Sequence, residues 1–278
     1  MTINCKGNLI DLSTPKVMGI LNLTPDSFYD GKKNKNISAI LHQVEKMLTE
    51  GATFIDIGAY SSRPGATHIS EEEELKRLTN ILELLLSKFS NALISIDTFR
   101  SKVALESLEI GAAIINDISA GQLDQNMFNV VSQYQAPYIM MHMKGTPQNM
   151  NEMTNYNDIV KEVIYYFSEK IRVARSKKIN DIIIDPGFGF AKNKTQNFSL
   201  LENLNLFKAF DLPILTGLSR KSMIYKTLKT TPEYALNGTS ALNIIALERG
   251  AKILRVHDVK EAIECVHLFN ELKYSNKS

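Results

Sequence analysis

Eight times along the chain, a short β-branched or aliphatic run is followed by a longer segment of helical periodicity. This alternation constrains the fold more than any other feature of the sequence. Parallel strands cannot be joined by tight turns and need a crossover, usually a helix, and strands covered on both faces read as near-continuous apolar runs. The pattern predicts strands at Lys16 to Leu23 (KVMGILNL), Thr53 to Gly58 (TFIDIG), Ala92 to Asp97 (ALISID), Ala113 to Ile118 (AIINDI), Pro137 to Met143 (PYIMMHM), Asp181 to Asp185 (DIIID), Pro213 to Gly217 (PILTG) and Lys252 to Val256 (KILRV). Gly51, Gly111 and Gly250 each fall a residue or two before one of these runs, where the C-terminal glycine of a helix belongs. Ser70 to Phe89 reads as an amphipathic helix. Ser70 and Glu73 have capping-box spacing, and the four glutamates from Glu71 to Glu74 suit the positive end of the helix dipole as a solvated start.

Eight βα units in 278 residues fit the α/β class and a closed (β/α)8 TIM barrel, which typically needs about 250 residues. The rival architecture is a doubly wound open sheet, but no Gly-x-Gly-x-x-Gly turn follows the first strand to hold a dinucleotide. One domain is expected over residues 1–278, its barrel core at about 16–273. A net charge of +2, from 32 basic and 30 acidic residues, argues against a nucleic-acid or membrane-surface partner. Cys5 and Cys265 stand at opposite ends without zinc or redox spacing, so they are expected to be inert thiols in a reducing cytoplasm. The first residues have no signal-like apolar run, and no apolar stretch reaches 18 residues.

A barrel of this kind carries its chemistry at the C-terminal ends of the strands. Polar residues gather there: Asn22, Arg63, Asp97, Asn116, Asp117, His142, Lys144, Asp185, Ser219, Arg220, Lys221, Arg255, His257 and Asp258. Singly, such residues are more often turn or cap formers or structural ion pairs; together they sort into two subsites. Arg63, Arg255 and His257 can meet an anion, and arginine grips phosphate oxygens bidentately. Asp97, Asn116 and Asp185 match the donors and acceptors of a heterocycle such as a pterin or purine. Asn22 lacks the neighbouring acids of a dedicated metal cage, yet one neutral oxygen suffices for a magnesium ion carried mainly by substrate phosphates. Residues 24–36 and 59–69 are rich in turn formers and are expected to be loops over the barrel mouth. Lys221 and Ser222 stand at an expected helix start, where backbone N–H groups favour a carboxylate. The methionines Met140, Met141 and Met143 are expected to fill core or pocket wall, and His142 to be structural.

The strings that carry these residues resemble dihydropteroate synthase. They are MGILNLTPDSFYDG (18–31), SSRPGA (61–66), SIDT (95–98), NDIS (116–119), MHMKGTP (141–147), DPGFGF (185–190), GLSRKS (217–222) and RVHD (255–258), in order across residues 16–258. The resemblance implies a transferase of folate biosynthesis that condenses (7,8-dihydropterin-6-yl)methyl diphosphate with 4-aminobenzoate to give dihydropteroate and diphosphate, with Mg2+ as its metal. It implies that Asn22 binds the metal beside the diphosphate, and that Asp97, Asn116, Ile118, Met140, Asp185, Gly217 and Lys221 form the pterin site. Arg63, Arg255 and His257 would take the diphosphate. Ser62, Pro64, Phe190, Lys221 and Ser222 would meet the aminobenzoate, and Asp97, Asp185, Lys221 and Arg63 would carry catalysis. Two positions depart from the family pattern: Ala59-Tyr60-Ser61-Ser62 stands where Gly-Glu-Ser-Thr is common, and Lys32 where a second glycine follows Asp-Gly.

Two other readings share the barrel. A pterin-binding methyltransferase domain would have little use for diphosphate and aminobenzoate sites, and a non-catalytic pterin-binding protein would not need Asn22, Arg63, Asp97, Lys221 and His257 together. The expected partners are small-molecule substrates and a second copy of the chain, a homodimer formed through outer helices near residues 244–247 and 263–268.

Overall fold

The computed structural model describes residues 1–23, 33–60 and 68–275. The chain opens with an antiparallel hairpin of β1 (Thr2–Cys5) and β2 (Asn8–Asp11). Eight parallel strands follow: β3 (Lys16–Asn22), β4 (Phe54–Gly58), β5 (Leu93–Asp97), β6 (Ile114–Asp117), β7 (Tyr138–Met141), β8 (Ile182–Asp185), β9 (Ile214–Thr216) and β10 (Ala251–Val256). They close as a barrel, with β10 pairing both β3 and β9. The helices are α1 (Lys33–Thr49), α2 (Glu71–Lys88), α3 (Ser101–Ile110), α4 (Met127–Tyr134), α5 (Ile159–Ser176), α6 (Lys194–Glu202), the single turn α7 (Ser222–Tyr225), α8 (Leu236–Glu248) and α9 (Val259–Ser275). The expected (β/α)8 TIM barrel is therefore the observed architecture. Each expected strand is found within two residues of its predicted ends.

Strand alternation sorts the core into two shells. Val17, Leu21, Ile55, Ile57, Ile94, Ile96, Ile115, Tyr138, Ile182, Ile184 and Leu254 face outward and pack with the apolar sides of the helices. Met18, Phe54, Ile114, Ile139, Ile183, Leu215 and Ile253 face inward near the strands' N-terminal ends, and the hairpin's Ile3 and Cys5 join them with Leu12. The hairpin therefore plugs the barrel floor, a role the sequence reading did not foresee. Its burial pushes the Cys5 thiol up to about 12, and Cys265 is also raised by burial, so both cysteines are poor nucleophiles as expected.

Gly111 ends α3 at φ +124°, a conformation that side chains resist. Ser70 caps α2, its hydroxyl accepting from Glu73 N at 3.2 Å. The return half of the expected capping box is replaced, because the Glu73 carboxylate accepts instead from Arg77 Nε at 2.8 Å. The solvated reading of the glutamate run fails at one position. Glu74 is 1% exposed and accepts from Arg100 Nη1 at 2.5 Å and from Thr98 Oγ1 at 2.8 Å. It lies on the helical face turned toward Thr98 and Arg100, just after β5, which a charge count cannot reveal.

Candidate active site

Two residues along from the apolar floor, the inward positions of several strands turn polar. Phe54 is followed inward by Asp56, Leu93 by Ser95 and then Asp97, Ile114 by Asn116, Ile183 by Asp185, and Ile253 by Arg255. Strand register sets their heights, with Asp56 opposite Ser95, and Asp97 opposite both Gly58 and Asn116. Outward alternation assigns Asp117 elsewhere: it accepts from Ser119 N, Gly121 N and Tyr138 Oη and serves the fold.

Arg255 joins the polar layer together. Its Nε donates to Asp56 Oδ2 at 2.6 Å and its Nη2 to Asp97 Oδ2 at 2.7 Å, while Asn116 Nδ2 donates to Asp56 Oδ2 at 3.0 Å. Burial opposes the charge of Arg255, but Asp56 and Asp97 hold the guanidinium above its ordinary range. Burial lifts Asp97 to about 7, against the opposing pull of Arg255. Gly58 lies directly beside Asp97, and an added Cβ there would touch it at an ordinary contact distance, 3.6 Å from its Oδ2. Arg255, expected in the anion group, thus also touches Asp97 of the expected heterocycle group, through Nη2.

Asp185 is 6% exposed, accepts from Gly187 N at 2.8 Å, and is raised by burial against the pull of Lys221. Burial lowers Lys221 to about 8, while Asp185 opposes that shift. Lys221 Nζ donates to Phe188 O and stands 4.7 Å from the centre of the Phe190 ring, a cation–π contact. Gly217 lies beside the same ammonium, 4.0 Å from its Nζ to an added Cβ. Lys221 thus stands beside Gly217 and Asp185, expected at the pterin, and beside Phe190, expected at the aminobenzoate. Ser222 is exposed at the start of α7, but Lys221, not the serine, occupies the cap position, and the helix is only one turn long.

His257 is fixed by Ser219, whose Oγ lies 3.0 Å from His257 Nδ1 and accepts from His257 N at 3.3 Å. Arg220 closes the same rim by gripping Asp258 with Nε at 2.9 Å and Nη2 at 2.6 Å. Asn22 ends β3 exposed at the mouth, paired in register with Gly58. Ile118 clusters with Met141, Met143 and Phe190. Met140 does not join them: it alternates outward with Tyr138 into the helix-facing shell, so Met141 takes the pocket-wall place expected of it. Ser62, Arg63 and Pro64 lie outside the described residues, as do 24–32 and 61–67 of the two expected loops.

Three polar residues escaped the sequence reading as site elements. Asp56 was hidden inside a strand string, although its alternation with Phe54 marks it as inward. Ser219 was noted at a strand end without a role. Lys192 gave no signal, because its burial comes from the path of the loop after β8. Its Nζ lies 2.9 Å from His142 Nδ1 and donates to Gly187 O and Phe190 O at 2.9 Å each. Burial drives both Lys192 and His142 well below their ordinary ranges, so His142 is a neutral structural imidazole, as expected. Among the described residues, no group of three or more His, Cys, Asp or Glu could hold a metal ion.

Residues 18–257 match the family of pterin binding enzymes. The chain is 42% identical over 270 residues to the dihydropteroate synthase of Escherichia coli (strain K12), covering 96% of this chain and 95% of that protein. The crystal structure of Yersinia pestis dihydropteroate synthase with a sulfonamide drug complex superposes with a TM-score of 0.92 at 40% identity, covering 99% of this chain and all of that one. Dihydropteroate synthase from Xanthomonas albilineans, in complex with 7,8-dihydropteroate, superposes with a TM-score of 0.87 at 33% identity, covering 98% and 99% of the two chains.

Proposed function

The chain belongs to the pterin binding enzyme family, and from that premise we propose that it joins (7,8-dihydropterin-6-yl)methyl diphosphate to 4-aminobenzoate, releasing diphosphate. The observation that carries this reading is the polar layer above the apolar floor, where Asp97, Asp185, Asn116, Arg255 and Lys221 converge in one barrel mouth. Near-complete coverage by relatives named as synthases favours this reaction over methyl transfer.

Asp97, Asp185 and Asn116 would bind the pterin edge, the carboxylates accepting from ring and amino N–H groups. In the displacement, the bond between the pterin's methylene carbon and the diphosphate oxygen breaks, with its electron pair leaving on the diphosphate. Positive charge then spreads into the ring, where ionised Asp97 and Asp185 stabilise it in a site that water reaches poorly. The amine nitrogen of the aminobenzoate forms the new C–N bond, and its proton passes to solvent or to the released diphosphate. Lys221 stands between the pterin acids and Phe190, so its charge can serve the pterin and the aminobenzoate carboxylate in turn. Arg63, His257 and the remaining guanidinium N–H groups of Arg255 would neutralise the leaving diphosphate, with Ser219 orienting His257. Ile118 and Gly217 would line the pterin pocket, and Ser62, Pro64, Phe190 and Ser222 the aminobenzoate pocket.

A carboxamide at the mouth, with no metal-holding acid cluster among the described residues, fits a Mg2+ ion held chiefly by the substrate's phosphates. Asn22 would contribute the protein ligand, and the metal would supply charge neutralisation for the departing diphosphate. The test is diphosphate release from the dihydropterin diphosphate with and without 4-aminobenzoate and Mg2+. Release that depends on Mg2+ and matches dihydropteroate formation supports the reading. Tight pterin binding without release would transfer support to a methyltransferase or a binding protein.

A further inference from the structure

Among the described residues, two arginines meet aspartate through the same fork, Nε with Nη2, and they use it differently. Arg220 spends both donors on one carboxylate, Asp258, at 2.9 and 2.6 Å. Arg255 splits them between two: Nε goes to Asp56 at 2.6 Å and Nη2 to Asp97 at 2.7 Å. Planar guanidinium and carboxylate groups ordinarily favour the paired, bidentate arrangement. Asp56 is what prevents it. Its side chain is fully buried, Oδ2 takes both Arg255 and Asn116, and Oδ1 has no partner among the described residues. A carboxylate kept inside a barrel with one oxygen unmatched is costly to the fold, which points to a functional reason for its presence.

We propose that Asp56 is a positioning residue of the pterin subsite, which holds the Nε edge of Arg255 so that the guanidinium engages only one oxygen of Asp97 and leaves the other for the heterocycle. The same Asp56 oxygen fixes the amide of Asn116, so one buried acid sets the direction of two pterin contacts. Without its charge, the Arg255 fork would close on Asp97 as the Arg220 fork closes on Asp258, and both acceptor oxygens of Asp97 would be occupied. This inference rests on the pterin reading of the site and adds to it a residue that touches no substrate.

The experiment compares the wild-type protein with Asp56→Asn, which keeps the shape and removes the charge. For the variant, KM for the dihydropterin diphosphate should rise on the order of tenfold, the scale of one misdirected charge-assisted hydrogen bond, while KM for 4-aminobenzoate should stay within about twofold. The new amide oxygen can still accept from Asn116, so the loss passes through Arg255 and should largely vanish when Asp56→Asn is made in an Arg255→Gln background. Equal rises in both KM values, or the same cost with and without Arg255, would overturn the proposal and leave Asp56 a core residue. Pterin affinity measured by calorimetry on the same proteins separates the two levels of inference. A wild-type protein that binds the dihydropterin diphosphate but makes no dihydropteroate would refute the synthase reading while the affinity comparison still judges Asp56. If Asp56→Asn fails to fold, Arg255→Lys asks the same question, since an ammonium has no fork to divide. A pterin-selective loss is expected there, and undiminished pterin affinity would count against the idea.

Discussion

Asp97 and Lys221 carry opposite charges into the same dry mouth, and burial shifts both toward neutrality. Asp97 rises to about 7 through burial, with Arg255 resisting, and only its ionised form sets a full negative charge against the pterin's N–H donors. Lys221 falls to about 8 through burial, with Asp185 resisting, and it offers a charge only when protonated. The signs follow directly. As pH drops through about 7 Asp97 gains a proton and pterin capture is lost; as pH rises through about 8 Lys221 loses one and charge support is lost. The kcat/KM for the dihydropterin diphosphate should therefore be bell-shaped, with limbs near those two values. Lys221→Arg should lower the rate yet remove the alkaline limb, because guanidinium stays charged; an alkaline limb unchanged in that variant would show that another group sets it. Residue chemistry of this kind was partly legible beforehand. Asp97, Asn116, Asp185 and Lys221 could be picked out because strand ends are where a barrel exposes its interior. Asp56 and Lys192 could not, since one is disguised by an apolar strand string and the other is buried by a loop's path.

At the level of elements, the eight barrel strands were readable because each is covered on both faces and so appears as an unbroken apolar run. The hairpin of β1 and β2 was not, because each strand is only four residues long; β1 buries two alternate side chains and β2 only half-buries Ile10. Glu74 shows the complementary failure: four adjacent glutamates look alike in sequence, but helical geometry turns one of them inward to Arg100 and Thr98. The hairpin's place on the barrel floor has a measurable consequence. Ile3 is 1% exposed and packs with Cys5, Leu12 and the inward bottom layer. Ile3→Ala should lower unfolding stability by about 2–5 kcal/mol, as for other buried large-to-small changes, read from urea denaturation. The site lies at the other end of the strands, so kcat/KM of the folded variant should change by less than about twofold. A negligible stability change would mean that the hairpin sits on the barrel without sealing it.

For the whole molecule, the closed sheet explains why site and stability separate: floor and mouth are opposite ends of one barrel, and the helices cover its sides. What remains outward is the helical ring, and its apolar content is uneven. Leu268 and Leu272 are 64% and 55% exposed one helical turn apart on α9, which packs against α8 with Ile244 and Ile245 half-buried. Single exposed leucines are ordinary, but an apolar stripe at i and i+4 beside further half-buried isoleucines is the surface that association would cover. Of the segments expected to form a dimer, Leu247 and Val266 are spent inside the chain's own core, so the α9 stripe is the better candidate for contact. A two-fold interface presents every substitution twice, and a single charge can therefore act strongly. Leu268→Glu should convert a dimer of the wild-type chain to monomer at micromolar concentration in light scattering, with dihydropteroate formation per chain preserved because Leu268 lies on the outer face of α9 and the described site residues lie at the strand ends of one chain. A wild-type protein that is already monomeric, or a variant that remains dimeric, would assign the stripe to the ordinary apolar surface of the fold.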